Sequence, residues 1–358
     1  MLKGFVVYLT AYDICYDMHR HLLRSVLGAP LTPFTLEPNR RNPASILAEA
    51  VWAAHLPSFS MQTPQGLATS TCQVKVFAMG ALSLTFRVPF AVNDLRDLVF
   101  YHEPTVNQVP IHEHARQVAL AAFEDLKPCL VRPMKTLVPD EAYTLFFIES
   151  SSLGEADTAV WFDKRKSAIA GLLTQEDDDA CLAAEEIEES TSRKISYYKH
   201  DLAVVDWDAA LAVDQEKNLE EIIYPLELAN LQLAELEAYD RLLEASVARS
   251  YTDVQERRSS TALRELEDLR IDLARTSDML ENTAKLYGDW HLARLNRLAV
   301  ERLHLPDWFH ALEKKRETLE AIYQAIRGDR NHRVMVVLEA LIVILFVVDL
   351  LLVFFKPH

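Results

Sequence analysis

Glycine is scarce, at 8 of 358 residues, which speaks against a Gly-rich nucleotide-binding fold and favours long helices. No P-loop, G-x-G-x-x-G or G-x-S-x-G pattern occurs, so the phosphate cradles and the nucleophile elbow that those motifs build have no candidate. Cysteine is confined to Cys15, Cys72, Cys129 and Cys181, far apart and without C-x-x-C spacing. That usage reads as reduced thiols in a cytosol-like compartment. Basic residues are outnumbered, 37 against 53 acidic, for a formal charge of -16. Nucleic acid is a polyanion, so it is not an expected partner of so acidic a chain. A secretory leader is not expected either. Met1 to Thr10 carries one Lys and an alternating apolar run, followed by Asp13 and Asp17, with no continuous apolar region or small-residue cleavage site. The body is expected to stay on the side where it is made.

What is present divides into three stretches: an α/β domain over 1–213, a long-helix region over 214–328 and a terminal apolar segment over 334–355. The fold class is therefore an α+β N-terminal region, then a long-helix bundle or coiled-coil stalk, then one C-terminal transmembrane helix. Phe5 to Leu9 reads as a strand. Tyr12 to Leu27 has helical spacing and stops at Gly28. A short helix is predicted from Pro43 to His55. Gln73 to Met79 and Leu82 to Val88 are β-rich runs separated by Gly80. Helices are predicted near Asn93 to Tyr101 and Val109 to Leu126, a buried strand over Thr144 to Glu149, and a late hairpin or one long bent strand over Lys194 to Ala203 and Val204 to Trp207.

From Asp214 onward Leu, Ala, Glu and Arg dominate. Leu219, Ile222, Leu226, Leu233, Leu236 and Leu243 recur at steps of three and four or their sums, a heptad seam that predicts a coiled coil joining either copies of the chain or partner helices. A second helix is predicted from Leu263 to Leu303, with Pro306 beyond it. A third runs from Asp307 to Arg327 and breaks at Gly328. Short joints between them suggest an antiparallel bundle.

Val334 to Phe355 is almost pure Val, Leu, Ile and Phe, and as a helix it would extend about 33 Å, the span of a hydrocarbon core. Arg327, Arg330 and Arg333 precede it and only Lys356 follows. The positive-inside rule then places the body in the cytoplasm, on a single-pass anchor in a bacterial inner membrane or its equivalent. The lipid bilayer is thus an expected partner. Glu339 and Asp349 interrupt the run, each roughly 7–8 Å from its centre. Acids at that depth mark either a contact or a tolerated snorkelling position.

Other constellations dissolve on inspection. His112 and His114 are two residues apart, about 200° around a helix, whereas a zincin spaces its histidines four apart. His19 and His21 fail in the same way. Glu176-Asp177-Asp178-Asp179, followed by Glu185, Glu186, Glu188 and Glu189, lacks the Gly turn and alternating ligands of a calcium loop and reads as a solvated acidic surface. Tyr197, Tyr198, Trp207 and Trp290 fit core or interface roles. No catalytic residue, cofactor-binding residue or metal ligand is assigned.

The stretch Leu338-Glu339-Ala340-Leu341-Ile342-Val343-Ile344-Leu345-Phe346-Val347-Val348-Asp349 resembles the terminal span of the "required for meiotic nuclear division" family. So do Leu295-Asn296-Arg297-Leu298, Asn331-His332 and the opening Tyr8-Leu9-Thr10-Ala11-Tyr12. The resemblance implies a non-enzymatic, membrane-tethered and oligomeric scaffold, since members of that family have no established catalytic residues. The alternative is an ion-channel or transporter subunit similar to the CorA magnesium family, which shares the layout of α/β body, long helices and C-terminal segment. That family has two spans and a Gly-Met-Asn tripeptide, which this sequence lacks.

Overall fold

The computed structural model describes residues 1–37, 50–134, 137, 141–155, 157–256, 271, 274 and 290–354, without the side chains of 251–256, 325–334, 346 and 348–354. The chain forms two compact units, one of residues 1–238 and 276–308, the other of 239–275 and 309–358.

The first unit is built on a mixed sheet. Its main strands are β1 (Leu2–Asp13), β2 (Val51–Thr63), β3 (Gly66–Phe77), β4 (Ala81–Val92), β5 (Glu141–Glu149), β6 (Leu202–Val205) and β7 (Ala209–Asp214). They lie in the order β2-β3-β4-β1-β5-β7-β6, and short strands extend both edges to make 11 among the described residues. Every main pairing is antiparallel except β5 with β7. A parallel neighbour needs a crossover, and α2 (Thr158–Thr174) and α3 (Ala184–Ser192) occupy the chain between them.

Strand alternation gives the sheet two buried faces. Val6 and Tyr8 of β1, Val74 of β3, Leu84 and Phe86 of β4 and Phe146 of β5 turn to the first face. There they join Ala119 and Phe123 of α1 (Ile111–Leu126) and Trp161 and Ile169 of α2 in one core. The second face is covered by α4 (Leu219–Glu256) and α5 (His291–Arg302). Tyr224, Leu228 and Leu231 of α4 and Leu292 of α5 pack there with Ala11, Phe77 and Ala81. Arg302 fastens α5 by donating to Asp206 Oδ1 (2.8 Å) and to Glu189 Oε1 (2.6 Å).

Two glycines are imposed by contact. A Cβ on Gly80, at the β3–β4 turn with φ +107°, would lie 1.9 Å from the Cys15 carbonyl oxygen. One on Gly4 would meet the Phe147 carbonyl oxygen at 1.9 Å.

In the second unit, Tyr239, Leu243, Ser246 and Ser250 form a buried stripe on α4. Leu312, Arg316, Leu319 and Tyr323 form one of the same spacing on α6 (Leu305–Phe354). Lys315 binds Asp240 (2.5 Å) and Glu244 (3.5 Å).

Several expectations are corrected. Tyr12 to Leu27 is not a helix. It completes β1, adds a strand over Cys15–Met18 and closes a small hairpin whose turn is Leu27-Gly28. Val51 to His55 lies in β2, and residues 43–49 of the expected helix fall outside the described residues. Gly328 does not end a helix, because α6 runs through it. A mid-helix glycine costs only about 1 kcal/mol relative to alanine, less than a break in so long a helix would.

The transmembrane helix is also corrected: among the described residues no helix is long and apolar enough to cross a membrane. Val334 to Phe354 continues α6 rather than forming a separate element. Its described apolar side chains run from Met335 to Leu345 and resume at Val347, with Glu339 among them. With the span go the single-pass, tail-anchored topology and the membrane localisation built on it. Lys356 and the side chains of Arg327, Arg330, Arg333 and Asp349 lie outside the described residues.

Candidate functional site

The polar side chains of β3 and β4 share one parity. Gln73 and Lys75 on β3, and Ser83, Thr85 and Arg87 on β4, face the second side of the sheet, opposite the Val74 and Leu84 core. Register places Lys75 across from Ser83 and Gln73 across from Thr85. On the other side, His55 of β2 pairs with Gln73. A polar patch is thereby written into the middle of a buried surface.

α4 closes over it with two acids spaced i and i+7, which two turns bring to the same face. Glu227 is 1 % exposed and Lys75 is 0 % exposed. Lys75 Nζ donates to Glu227 Oε2 at 2.5 Å. The other carboxylate oxygen, Oε1, accepts from Ser83 Oγ at 2.6 Å and from Thr85 Oγ1 at 3.3 Å. The ammonium also lies 4.6 Å from the centre of the Phe34 ring, a favourable cation–π position. Glu220 sits at the rim: it pairs with Arg87 and lies 3.9 Å from Lys75. Burial alone raises the Glu220 carboxyl, but the charges of Lys75 and Arg87 and the Arg87 hydrogen bond outweigh it and hold the group below the usual carboxylate range. Arg87 reaches Gln73 Oε1 at 3.4 Å, and Gln73 Nε2 lies 3.4 Å from His55 Nε2. The cluster therefore runs from a sealed ion pair outward to exposed His55.

Desolvating two charges is expensive, and their attraction offsets this only when the remaining donors and acceptors are satisfied. Glu227 meets that condition through two hydroxyls, and Lys75 adds to its single hydrogen bond an aromatic face and the field of a second carboxylate 3.9 Å away. Sealed as they are, Lys75 and Glu227 have no contact with solvent through which a substrate could be attacked.

The residues singled out in the sequence are placed elsewhere. Leu219, Ile222, Leu226, Leu233, Leu236 and Leu243 are all buried within the chain. The acids of α4 that matter, Glu220 and Glu227, lie between these seam positions. Glu339 is exposed on α6. His114 packs against Phe59 (5.3 Å between ring centres) and Phe86 (6.0 Å), while His112 is exposed. The rings of His19 and His21 are 5.8 Å apart. Among the described residues no three His, Cys, Asp or Glu side chains converge as a metal would require. The seam reading missed the Lys75 cluster. Its signal is a lysine inside an apolar strand, repeated in parity by Ser83, Thr85 and Arg87 on the next strand.

Fold and cluster define the class: a mixed α/β domain whose second sheet face carries a closed ionic patch under the start of a long helix. The chain belongs to the family of the N-terminal domain of uncharacterized protein MJ0711, whose model matches residues 3–219. A relative in Methanocaldococcus jannaschii, the uncharacterized protein MJ0711, is 28% identical over 217 residues, covering 59% of this chain and 65% of that protein. The chain thus spans slightly less than two thirds of that relative. Lys75, Ser83, Thr85 and Arg87 lie inside the residues matched by the family, and Glu220 and Glu227 lie just beyond them. No solved structure matches the chain.

Proposed function

We propose that the protein is a non-enzymatic scaffold that assembles with copies of itself through the apolar stretch of α6. One observation carries this reading. Met335, Val336, Val337, Leu338, Leu341 to Leu345 and Val347 are 50–71% exposed, on every side of the helix. A stretch about 20 Å long with a diameter of about 10–12 Å presents on the order of 800 Å² to solvent. The largest apolar patch on an ordinary monomer is about 300–600 Å².

Packing against the same stretch of another copy covers these side chains and removes them from water. The sealed state of the Lys75 cluster supports the non-enzymatic part.

The test is the mass of the full chain by light scattering at tens of micromolar, beside the variant Leu338→Glu/Leu345→Glu. An oligomer is expected for the native chain, falling to monomer in the variant. A native chain that is strictly monomeric ends this reading.

A further inference from the structure

We propose that Lys75–Glu227 and Arg87–Glu220 act together as a two-pin register key. They select the one position of α4 on the sheet and contribute little or nothing to net stability. The inference concerns the first unit alone and stands whether or not the chain assembles.

The matching of spacings carries it. On α4 the two acids are about 10.5 Å apart along the axis. On the sheet, Arg87 lies four residues beyond Ser83, the cross-strand partner of Lys75, so the two cations are offset by roughly 13 Å along the strands. Long side chains absorb the small difference: Glu227 pairs with Lys75 and Glu220 with Arg87, while Glu220 also lies 3.9 Å from Lys75.

Apolar packing cannot enforce this register by itself. α4 is apolar at Ile222, Ile223, Leu226, Leu228, Leu231 and Leu233, so more than one rotation offers Leu and Ile to the sheet. The ionic groups discriminate. A slide of one residue turns the helix by 100° and carries both carboxylates off the patch. A slide of one heptad in one direction brings Glu220 to Lys75 but puts Val213 where Glu220 belongs. In the other direction Ala234 replaces Glu227. The first slide leaves half-buried Arg87 without a carboxylate, and the second leaves fully buried Lys75 without one, the costlier error. Only the observed register satisfies both cations.

Replacing a buried ion pair by apolar side chains of similar volume is often neutral or stabilising, whereas removing one partner is costly. A register key therefore separates stability from uniqueness, and a merely stabilising pair does not. The experiment uses the full chain with Cys181, the exposed thiol, changed to Ser. Nitroxide labels are placed on Leu67→Cys and Glu237→Cys, both in the first unit. Distance distributions and thermal midpoints are measured for this protein, for K75M, for E227L and for K75M/E227L.

A single narrow distance is expected for the parent. The double variant is expected to fold, with a midpoint no lower than that of either single variant, and with a distribution at least twice as wide or split. An unchanged narrow distribution in the folded double variant shows that packing alone sets the register and overturns the proposal. So does a double variant that fails to fold or loses as much as the two single changes together, because the pair would then be a source of stability.

Discussion

Gln232 is fully buried on α4, and neither Oε1 nor Nε2 has a hydrogen-bond partner among the described residues. An unsatisfied buried amide costs about 1–3 kcal/mol, so Gln232→Met, which keeps the shape of the side chain, is expected to stabilise the fold by about 1 kcal/mol in urea unfolding. A lower midpoint would show that a bound water completes the amide. Gly80→Ala acts in the opposite direction. The added methyl meets a carbonyl oxygen at 1.9 Å in a backbone region with φ +107°. Strain and overpacking of about 1–3 kcal/mol each apply, and a loss of at least about 3 kcal/mol is expected in the same assay. His102 supplies the pH dependence. Burial holds its imidazole below the ordinary value, against an opposing hydrogen bond to the Leu172 carbonyl oxygen, at 2.8 Å. The unfolded chain therefore binds the proton more readily. Stability from this group is present above about pH 6.5 and is lost as pH falls toward the folded-state value. His114 adds to the trend, since burial lowers it too. Urea midpoints are expected to fall between pH 7 and pH 5, and less steeply in His102→Gln. Parallel slopes for the two proteins would remove His102 from the explanation.

Elements were legible where local pattern and tertiary demand agreed. β3 and β4 alternate around Gly80 and α1 shows helical spacing, so the sequence reading finds all three, although β3 begins at Gly66, seven residues before the run that was read. β5 is legible because Leu145-Phe146-Phe147-Ile148 is apolar on both faces, as a central strand must be. β7 was not read: Ala209-Ala210-Leu211-Ala212-Val213 has alanines that suit a helix and no alternation, because a strand buried on both sides has none to show. Tyr12 to Leu27 carries spacing that suits a helix, yet the demand for strand pairing with Leu130–Pro133 overrides it. The seam of α4 was read correctly as apolar, and its leucines are buried, but periodicity cannot say against what. The Lys75 cluster was invisible for a related reason. Its members come from β2, β3, β4 and α4, and only the sheet register brings Lys75 to Ser83 and Glu227.

Across the whole molecule, the same polypeptide serves two kinds of packing. The first unit layers helices on both faces of a sheet, and the second rests on paired stripes of α4 and α6. The strand nearest the N-terminus, β1, lies inside the sheet between β4 and β5, and the carboxylate that seals Lys75 follows it by 152 positions in the chain. This has a consequence for the protein as it is made. At about 5–20 residues per second, synthesis proceeds for roughly 8–30 s between the appearance of that lysine and the appearance of its acid. Through that interval β2, β3 and β4 can pair while one side of the young sheet carries two cations and no lid. A nascent chain of this protein thus passes through a stage that is basic on one face, although the finished molecule is strongly acidic.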